Sequence, residues 1–213
     1  MKAIVIGATG LVGKSITEKL LENTAVGSVQ IFVRRSTGLV HKKLIETIID
    51  FDKFDTWKSQ LKGDILFSAL GTTLKTAGSK EAQVKVDYEY QLQVAKASAE
   101  NGVKKYVLIS SVNADPKSPF FYLKMKGELE EKISTLSFEA IHILRPGPLK
   151  GHRETSRLNE VISTKFLDLL PKVLVSAGMR PVAGEKVAEV AIKAGLSAEK
   201  GIHIHGAKSI LNT

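Results

Sequence analysis

Cysteine is absent from the 213-residue sequence, so neither disulfide bonds nor thiolate metal sites are available. Aromatic residues make up only 6% of the chain and the lysines are scattered, so no nucleic-acid groove is expected. No run of residues is apolar and long enough to span a membrane. The first residues form an apolar pattern that predicts a core strand rather than a signal peptide. By default, these absences predict a cytoplasmic protein with neither membrane nor nucleic-acid partners.

Basic residues outnumber acidic residues, and the formal net charge is +9. A solvated, lysine-rich surface explains this balance, because self-repulsion keeps such a protein soluble. The alternative interpretation is attraction to an anionic ligand or to nucleic acid. The length of the chain suits a single domain with a sizeable core, spanning residues 1–213.

The strongest motif is the N-terminal stretch MKAIVIGATGLVG. A branched apolar run ends at Gly7, and glycines recur at Gly10 and Gly13 before a helical pattern begins. A strand, a glycine turn and a helix in this order are typical of dinucleotide binding. Gly7 permits the tight turn, Gly10 lets the backbone approach a pyrophosphate, and Gly13 allows close packing of the helix. The predicted cofactor contacts from this segment are Gly7, Thr9, Gly10, Leu11 and Val12.

Two arginines follow the second predicted strand, about 20 residues past the glycine turn. An acidic residue at this position would bind the ribose 2′-hydroxyl of NAD, but the sequence has Arg34 and Arg35 there. The guanidinium group matches the geometry of a 2′-phosphate, so this pair favours NADP(H) over NAD(H). The alternative is that either arginine only caps a surface turn.

The ends of later strands supply further candidates for cofactor contacts. Asp50 and Phe51 follow the third predicted strand, where the adenine would lie. Asp50 would accept a hydrogen bond from the adenine amine or, equally, cap the helix predicted over residues 52–61. The fourth predicted strand ends at Leu70, Gly71 and Thr72, where small residues allow a ligand to come close.

Strands alternate with helices along most of the chain, which predicts an α/β fold: a Rossmann-type doubly wound parallel sheet with helices on both faces. Strands are predicted over residues 3–6, 29–33, 44–49, 65–70, 103–110, 138–144 and 201–205. Helices are predicted over residues 79–100, 119–136, 157–170 and 184–194. The segment after residue 147 is expected to form a small cap on the substrate side.

A tyrosine and a lysine four residues apart, Tyr122 and Lys126, lie on one face of a predicted helix. An ammonium beside a phenol favours the phenolate, so Lys126 is expected to lower the pKa of Tyr122 and make it a usable proton donor and acceptor. The preceding strand ends in two serines, of which Ser111 is preferred to Ser110 as the hydroxyl that binds a substrate oxygen. The alternative is an ordinary amphipathic helix with surface lysines.

Several strings together resemble an atypical short-chain dehydrogenase/reductase, and most closely the human Tat-interactive oxidoreductase family and its bacterial relatives. They are GATGLVG, FSALGTTLKTAGS, VDYEY, LISSVNADPKSPFFYLKMKGELE and LRPGPLKGHRE. The resemblance implies an NADP(H)-binding Rossmann fold in which Tyr122, Lys126 and Ser111 are catalytic. It also implies that Pro146 and Gly147 lie against the nicotinamide.

The sequence departs from the reductase pattern at one position. Many short-chain reductases carry an asparagine on the helix before the fifth strand, but here the neighbourhood reads Lys85-Val86-Asp87-Tyr88. Asp87 is interpreted as a helix-surface acid, with water binding as the alternative.

The histidines do not predict a metal site. His203 and His205 alternate on one strand without a third ligand near them in sequence. His142 is interpreted as a packed or edge residue of the sixth strand and not as a catalyst. His152 and Arg153 line the substrate mouth in one interpretation and an exposed loop in the other.

The expected function is an NADP(H)-dependent oxidoreductase that acts on an unidentified small carbonyl or alcohol substrate. One alternative is an NADPH-binding regulatory protein without physiological turnover, with a protein partner. Another is an epimerase or dehydratase for nucleotide sugars on the same fold. The two long helices that flank the fifth strand would pair in a homodimer, unless their apolar faces cover the sheet.

Overall fold

The computed structural model describes residues 1–150 and 180–212. In these ranges the strands are β1 (Lys2–Ile6), β2 (Ser28–Val33), β3 (Leu44–Ile48), β4 (Ile65–Ser68), β5 (Lys105–Ile109), β6 (Ala140–Arg145), β7 (Leu149–Lys150), β8 (Val182–Ala183) and β9 (Gly201–Gly206). The helices are α1 (Leu11–Glu22), α2 (Leu74–Ala77), α3 (Lys80–Val84), α4 (Tyr90–Glu100), α5 (Phe121–Ser134), α6 (Gly184–Leu196) and α7 (Ala207–Asn212).

A seven-stranded sheet runs in the order β3-β2-β1-β4-β5-β6-β9, and every neighbouring pair in it is parallel. The predicted doubly wound α/β sheet is therefore confirmed. From the centre of the sheet, β1, β2 and β3 follow one another toward one edge, and β4, β5, β6 and β9 follow one another toward the other edge. Ligands of such sheets bind outside the carboxyl ends of the strands, at the point where this order reverses.

The central strands are apolar along their whole length because helices cover both faces of the sheet. Successive side chains of a strand point to opposite faces, so adjacent residues of β1 enter different cores. Val5 packs in the core that includes Leu20 of α1 and Val187 of α6. Ile4 packs in the opposite core, with Val94 of α4 and Leu129 of α5.

Two predicted helices differ from the structure, and a third is not tested by it. The segment predicted as a helix over residues 52–61 forms two short 3₁₀ helices, Phe51–Thr56 and Lys58–Gln60. The long helix predicted over residues 79–100 consists of α3, a π-helical turn at Lys85–Glu89, and α4. The helix predicted over residues 157–170 lies outside the described residues.

No helix in residues 1–150 and 180–212 is both long and apolar enough to cross a bilayer.

Candidate active site

A cleft of about 650 Å³ opens at the carboxyl ends of the central strands, where the strand order reverses. It contains nearly all of the residues that the sequence predicted for a cofactor and substrate site. Those that line it are Gly7, Thr9, Gly10, Leu11, Val12, Arg34, Phe51, Leu70, Gly71, Thr72, Ser111, Tyr122, Lys126, Pro146 and Gly147. The fold therefore brings together side chains from the first 150 residues that are far apart in sequence.

Two of the three glycines in the turn at the floor of the cleft have no room for a Cβ. Gly7 has a φ of +78°, and a Cβ on it would lie 2.4 Å from the backbone carbonyl of Ala69. A Cβ on Gly13 would lie 2.1 Å from the carbonyl oxygen of Gly7. The start of α1 consequently packs close against the turn, and its first residues, Leu11 and Val12, line the cleft. The N-terminus of a helix offers unpaired N–H groups and a positive dipole end to an anion. These features fit the diphosphate of a dinucleotide.

Arg34 and Arg35 are both exposed, but only Arg34 lines the cleft. The β2 strand ends just before Arg34, which brings that residue to the same edge of the sheet as the glycine turn. This position suits a contact with the adenosine side of a dinucleotide. Arg35 lies outside the lining residues, so the predicted pair provides one guanidinium and not two.

Asp50 also lies outside the lining of the cleft. Its carboxylate accepts a hydrogen bond from the backbone N–H of Asp52 at 3.0 Å and caps the first 3₁₀ helix. Its carbonyl oxygen accepts a hydrogen bond from the indole N–H of Trp57 at 2.9 Å. Of the two roles proposed for Asp50, the structure shows the helix cap. The next residue, Phe51, lines the cleft and stacks on Tyr90 with a centroid distance of 4.9 Å.

The two serines after β5 have different partners. The hydroxyl of Ser110 donates to the buried carboxylate of Glu130. The same carboxylate forms an ion pair with Arg145, whose Nε and Nη2 both donate to it. The hydroxyl of Ser111 contacts the carbonyl oxygen of Val112 at 3.2 Å and also interacts with Tyr122. Ser110 thus belongs to an ionic network of the core, and Ser111 is the serine next to the phenol. No sequence pattern indicates the Glu130–Arg145 pair, since the two residues lie on different elements.

Tyr122 and Lys126 both come from the first turns of α5 and line the cleft together. Lys126 is 2% exposed, and its ammonium donates to the carbonyl oxygen of Ile109 at 3.2 Å. The spacing of four residues therefore brings the two groups to one face, as predicted.

The electrostatics of this pair differ from the expectation. Burial raises the pKa of Tyr122, the Asp87 carboxylate raises it further, and a hydrogen bond with Ser111 opposes both effects. Burial also lowers the pKa of Lys126. The predicted lowering of the Tyr122 pKa is wrong in direction, because burial of the phenol disfavours the phenolate. Tyr122 is consequently a neutral phenol with a proton to donate.

Asp87 is not the surface acid that the sequence suggested. Its side chain is 1% exposed and lines the cleft. The carboxylate accepts a hydrogen bond from the backbone N–H of Thr72 at 2.9 Å, in the loop after β4. The π-helical turn changes the angular position of its residues relative to a regular α-helix, so helical spacing alone could not locate this side chain.

Three of the described histidines, His142, His203 and His205, cluster on one face of the sheet at its β9 edge. His142 is fully buried, and its Nδ1 lies 3.2 Å from Nε2 of His205. The ring of His203 stacks on that of His142 at 5.1 Å. Burial, followed by the neighbouring histidines, lowers the pKa of His142 to about 4, so its imidazole is neutral. In residues 1–150 and 180–212, no three histidine or acidic side chains are arranged to hold a metal ion.

The segment expected to cap the cleft is only partly described. Strands β7 and β8 pair in parallel, with Leu149 opposite Val182, and Pro148 and Leu149 line the cleft. His152 and Arg153, the candidates for the substrate mouth, lie outside the described residues.

Comparisons with known proteins identify the family. A family model described as HIM1 matches residues 42–177, more than half of the chain. The chain belongs to the HIM1 family. The motifs resemble a different family, the Tat-interactive oxidoreductases, and the family model does not support that more specific assignment.

Two fungal relatives of this HIM1-family protein are similar over almost their whole length. The mitochondrial protein fmp52 of Emericella nidulans is 40% identical over 207 residues, which cover 92% of this chain and 88% of the relative. The mitochondrial protein FMP52 of Meyerozyma guilliermondii is 40% identical over 197 residues, which cover 90% of this chain and 84% of the relative. The expectation of a cytoplasmic protein is wrong, since relatives this similar are named as mitochondrial proteins.

Solved structures share the fold at low sequence identity. A UDP-glucuronic acid 4-epimerase from Bacillus cereus, solved with UDP-glucuronic acid and NAD, superimposes with a TM-score of 0.72 at 16% identity, over 97% of this chain and 77% of its own. A short-chain dehydrogenase/reductase superfamily protein from Agrobacterium tumefaciens with bound NAD gives a TM-score of 0.71 at 14% identity, over 97% and 77%. The HIM1-family protein therefore has the fold of this superfamily.

Proposed function

We propose that this HIM1-family protein is an NADP(H)-dependent oxidoreductase that acts on a carbonyl or alcohol group of a small molecule. The observation that carries the proposal is that the glycine turn, Arg34 and the Ser111–Tyr122–Lys126 set line one cleft. A nucleotide site and a proton-transfer site in one cleft are what hydride transfer to a carbonyl requires.

Each catalytic side chain has a distinct role in the reductive direction. The bound cofactor would supply the hydride that adds to the carbonyl carbon. Tyr122 gives its phenolic proton to the carbonyl oxygen as that oxygen takes up the electrons of the C=O π bond, and an alcohol results. Ser111 donates a hydrogen bond to the same oxygen, and the Lys126 ammonium stabilises the phenolate that remains. Oxidation of the alcohol reverses each transfer.

The choice of NADP(H) over NAD(H) rests on Arg34. We expect Arg34→Ala to weaken NADPH binding about 10- to 100-fold, the equivalent of losing one or two charge-assisted hydrogen bonds. NADH lacks the 2′-phosphate, so its affinity should change by less than about twofold. Titration of the purified protein with each cofactor, followed by nucleotide fluorescence, measures both constants.

Arg35 offers a matched control for this experiment. It is the next residue and is also exposed, but it does not line the cleft. Arg35→Ala removes the same charge from the surface and should leave both affinities nearly unchanged. Equal losses for NADPH and NADH in Arg34→Ala would show that the guanidinium does not recognise the 2′-phosphate.

The mitochondrion is the proposed place of action. Support comes from the two fungal relatives, 40% identical to this chain, whose names state that location. We expect a tagged form of the full chain to co-purify with mitochondria in cell fractionation. Recovery in the cytosolic fraction alone would exclude the proposal.

A second candidate function is epimerisation of a nucleotide sugar, favoured by the similarity to the UDP-glucuronic acid 4-epimerase. An epimerase returns the hydride to its substrate within one turnover, so it consumes no cofactor. Net oxidation of NADPH by a carbonyl compound therefore separates the two functions. It also separates the reductase from a regulatory protein that binds NADPH without turnover.

A further inference from the structure

The helix before β5 widens into its π-helical turn, Lys85–Glu89, beside the cleft. Such turns are rare and are frequent at functional sites. Two buried side chains tie this one to the sheet: Gln91 donates from Nε2 to the carbonyl oxygen of Asp87 at 2.7 Å and accepts from the hydroxyl of Ser68 at 2.7 Å. Because Ser68 is the last residue of β4, the position of Asp87 is fixed relative to the strand ends.

The Asp87 carboxylate is held against the loop after β4. Its Oδ2 accepts the hydrogen bond from the N–H of Thr72 at 2.9 Å, and a Cβ on Gly71 would lie 3.2 Å from its Oδ1. A buried carboxylate is costly unless other groups stabilise it. Here it faces the same cleft as the phenol of Tyr122 and the ammonium of Lys126.

The charged groups around Tyr122 and Lys126 single out Asp87. Glu130, on the same helix as Lys126, is already paired with the guanidinium of Arg145. Asp87 lies on the π-helical turn and lines the same cleft as both members of the pair, and its charge raises the pKa of each. A charged acid at this position affects the protonation of Tyr122 and Lys126, whereas a neutral amide would not.

We propose that Asp87 is a positioning residue that keeps Tyr122 and Lys126 in their protonated forms and so prepares the site for reduction. The role of Asp87 in reduction rests on the proposed oxidoreductase function, but the test of its effect on Lys126 requires neither a substrate nor a cofactor. The acid stabilises the ammonium of Lys126 by direct attraction. It disfavours the phenolate of Tyr122 by repulsion, so the phenol retains the proton that it must donate.

The direction of each effect follows from the sign of the charge. Burial lowers the pKa of Lys126 and Asp87 opposes that effect, whereas burial raises the pKa of Tyr122 and Asp87 adds to it. Replacing the carboxylate by an amide therefore lowers both pKa values. In a reductase, the fall of activity with rising pH would begin at lower pH.

The experiment is an NMR titration of the full chain labelled with ¹³C at the lysine side chains. The Lys126 signal is assigned as the one missing from Lys126→Met. We expect Asp87→Asn to raise the acid dissociation constant of Lys126 about tenfold, the size of a charge interaction across a partly buried cleft. Asp87→Glu, which keeps the charge, should restore a titration close to that of the original protein.

Two further variants complete the test. Glu131→Gln removes an exposed acid from the same helix and should leave the Lys126 titration unchanged. If Asp87→Asn does not fold, Asp87→Ser removes the same charge with a smaller side chain, and the same tenfold change is required. An unchanged Lys126 titration in a folded neutral variant would overturn the proposal. Absence of NADPH binding to the original protein would instead overturn the oxidoreductase function, whatever the titration shows.

Discussion

Tyr122→Phe is expected to lower NADPH-dependent carbonyl reduction about 10²- to 10⁴-fold, the usual contribution of a general acid. The substitution removes the hydroxyl that donates the proton and keeps the ring that lines the cleft. NADPH affinity should therefore change by less than about twofold, as for a substitution that removes no essential ligand contact. A panel of aldehydes and ketones, followed by the loss of NADPH absorbance, measures turnover, and a fluorescence titration measures binding.

Tyr88→Phe is the matched control for that variant. It makes the same chemical change one residue after Asp87, but Tyr88 does not line the cleft. Its turnover should stay close to that of the original protein. Full activity in Tyr122→Phe would exclude the phenol as the proton donor, and no oxidation by the original protein across the panel would favour the regulatory or epimerase function.

Gly7→Ala is expected to lower the free energy of unfolding by about 3 kcal/mol, as the sum of a steric and a conformational cost. The new methyl group would lie 2.4 Å from the backbone carbonyl of Ala69, and neither backbone segment can move without disturbing β1 or β4. The φ of +78° adds the cost of a left-handed conformation for a residue with a side chain. Displacement of the turn should also abolish NADPH binding. Urea unfolding measures the free energy.

Gly102→Ala separates these two costs. Gly102 has a φ of +84°, but a Cβ there would meet no atom within 4 Å. It should therefore show only the conformational cost, about 1–2 kcal/mol, with normal NADPH binding. Equal losses of stability in the two variants would mean that the contact with Ala69 does not constrain the turn.

The parts of the site that the sequence predicted are those that depend on local pattern. The glycine turn is recognisable because a strand, three glycines and a helix follow one another within a few residues. The pairing of Tyr122 with Lys126 follows from helical spacing alone. The sheet follows from the alternation of strands and helices, since parallel strands require helical crossovers.

The parts that the sequence did not predict depend on tertiary contacts. The sequence favoured Ser111 over Ser110 without a contact to distinguish them, and that contact is the hydrogen bond from Ser110 to the buried Glu130. Asp87 is buried because a π-helical turn interrupts the helix that periodicity predicts. The direction of the Tyr122 pKa shift depends on desolvation, which is a property of the folded cleft and not of the four-residue spacing.

The short pairing of β7 with β8 has a consequence for how the length of the chain can vary between them. Residues 149–150 and 182–183 are hydrogen-bonded neighbours, and Leu149 also lines the cleft. The two ends that bracket residues 151–181 are therefore held together, and the entropy of closing a chain segment rises only slowly with its length. We expect insertions or deletions between these ends to leave the nucleotide cradle and the proton-transfer pair, both within residues 1–150, in place.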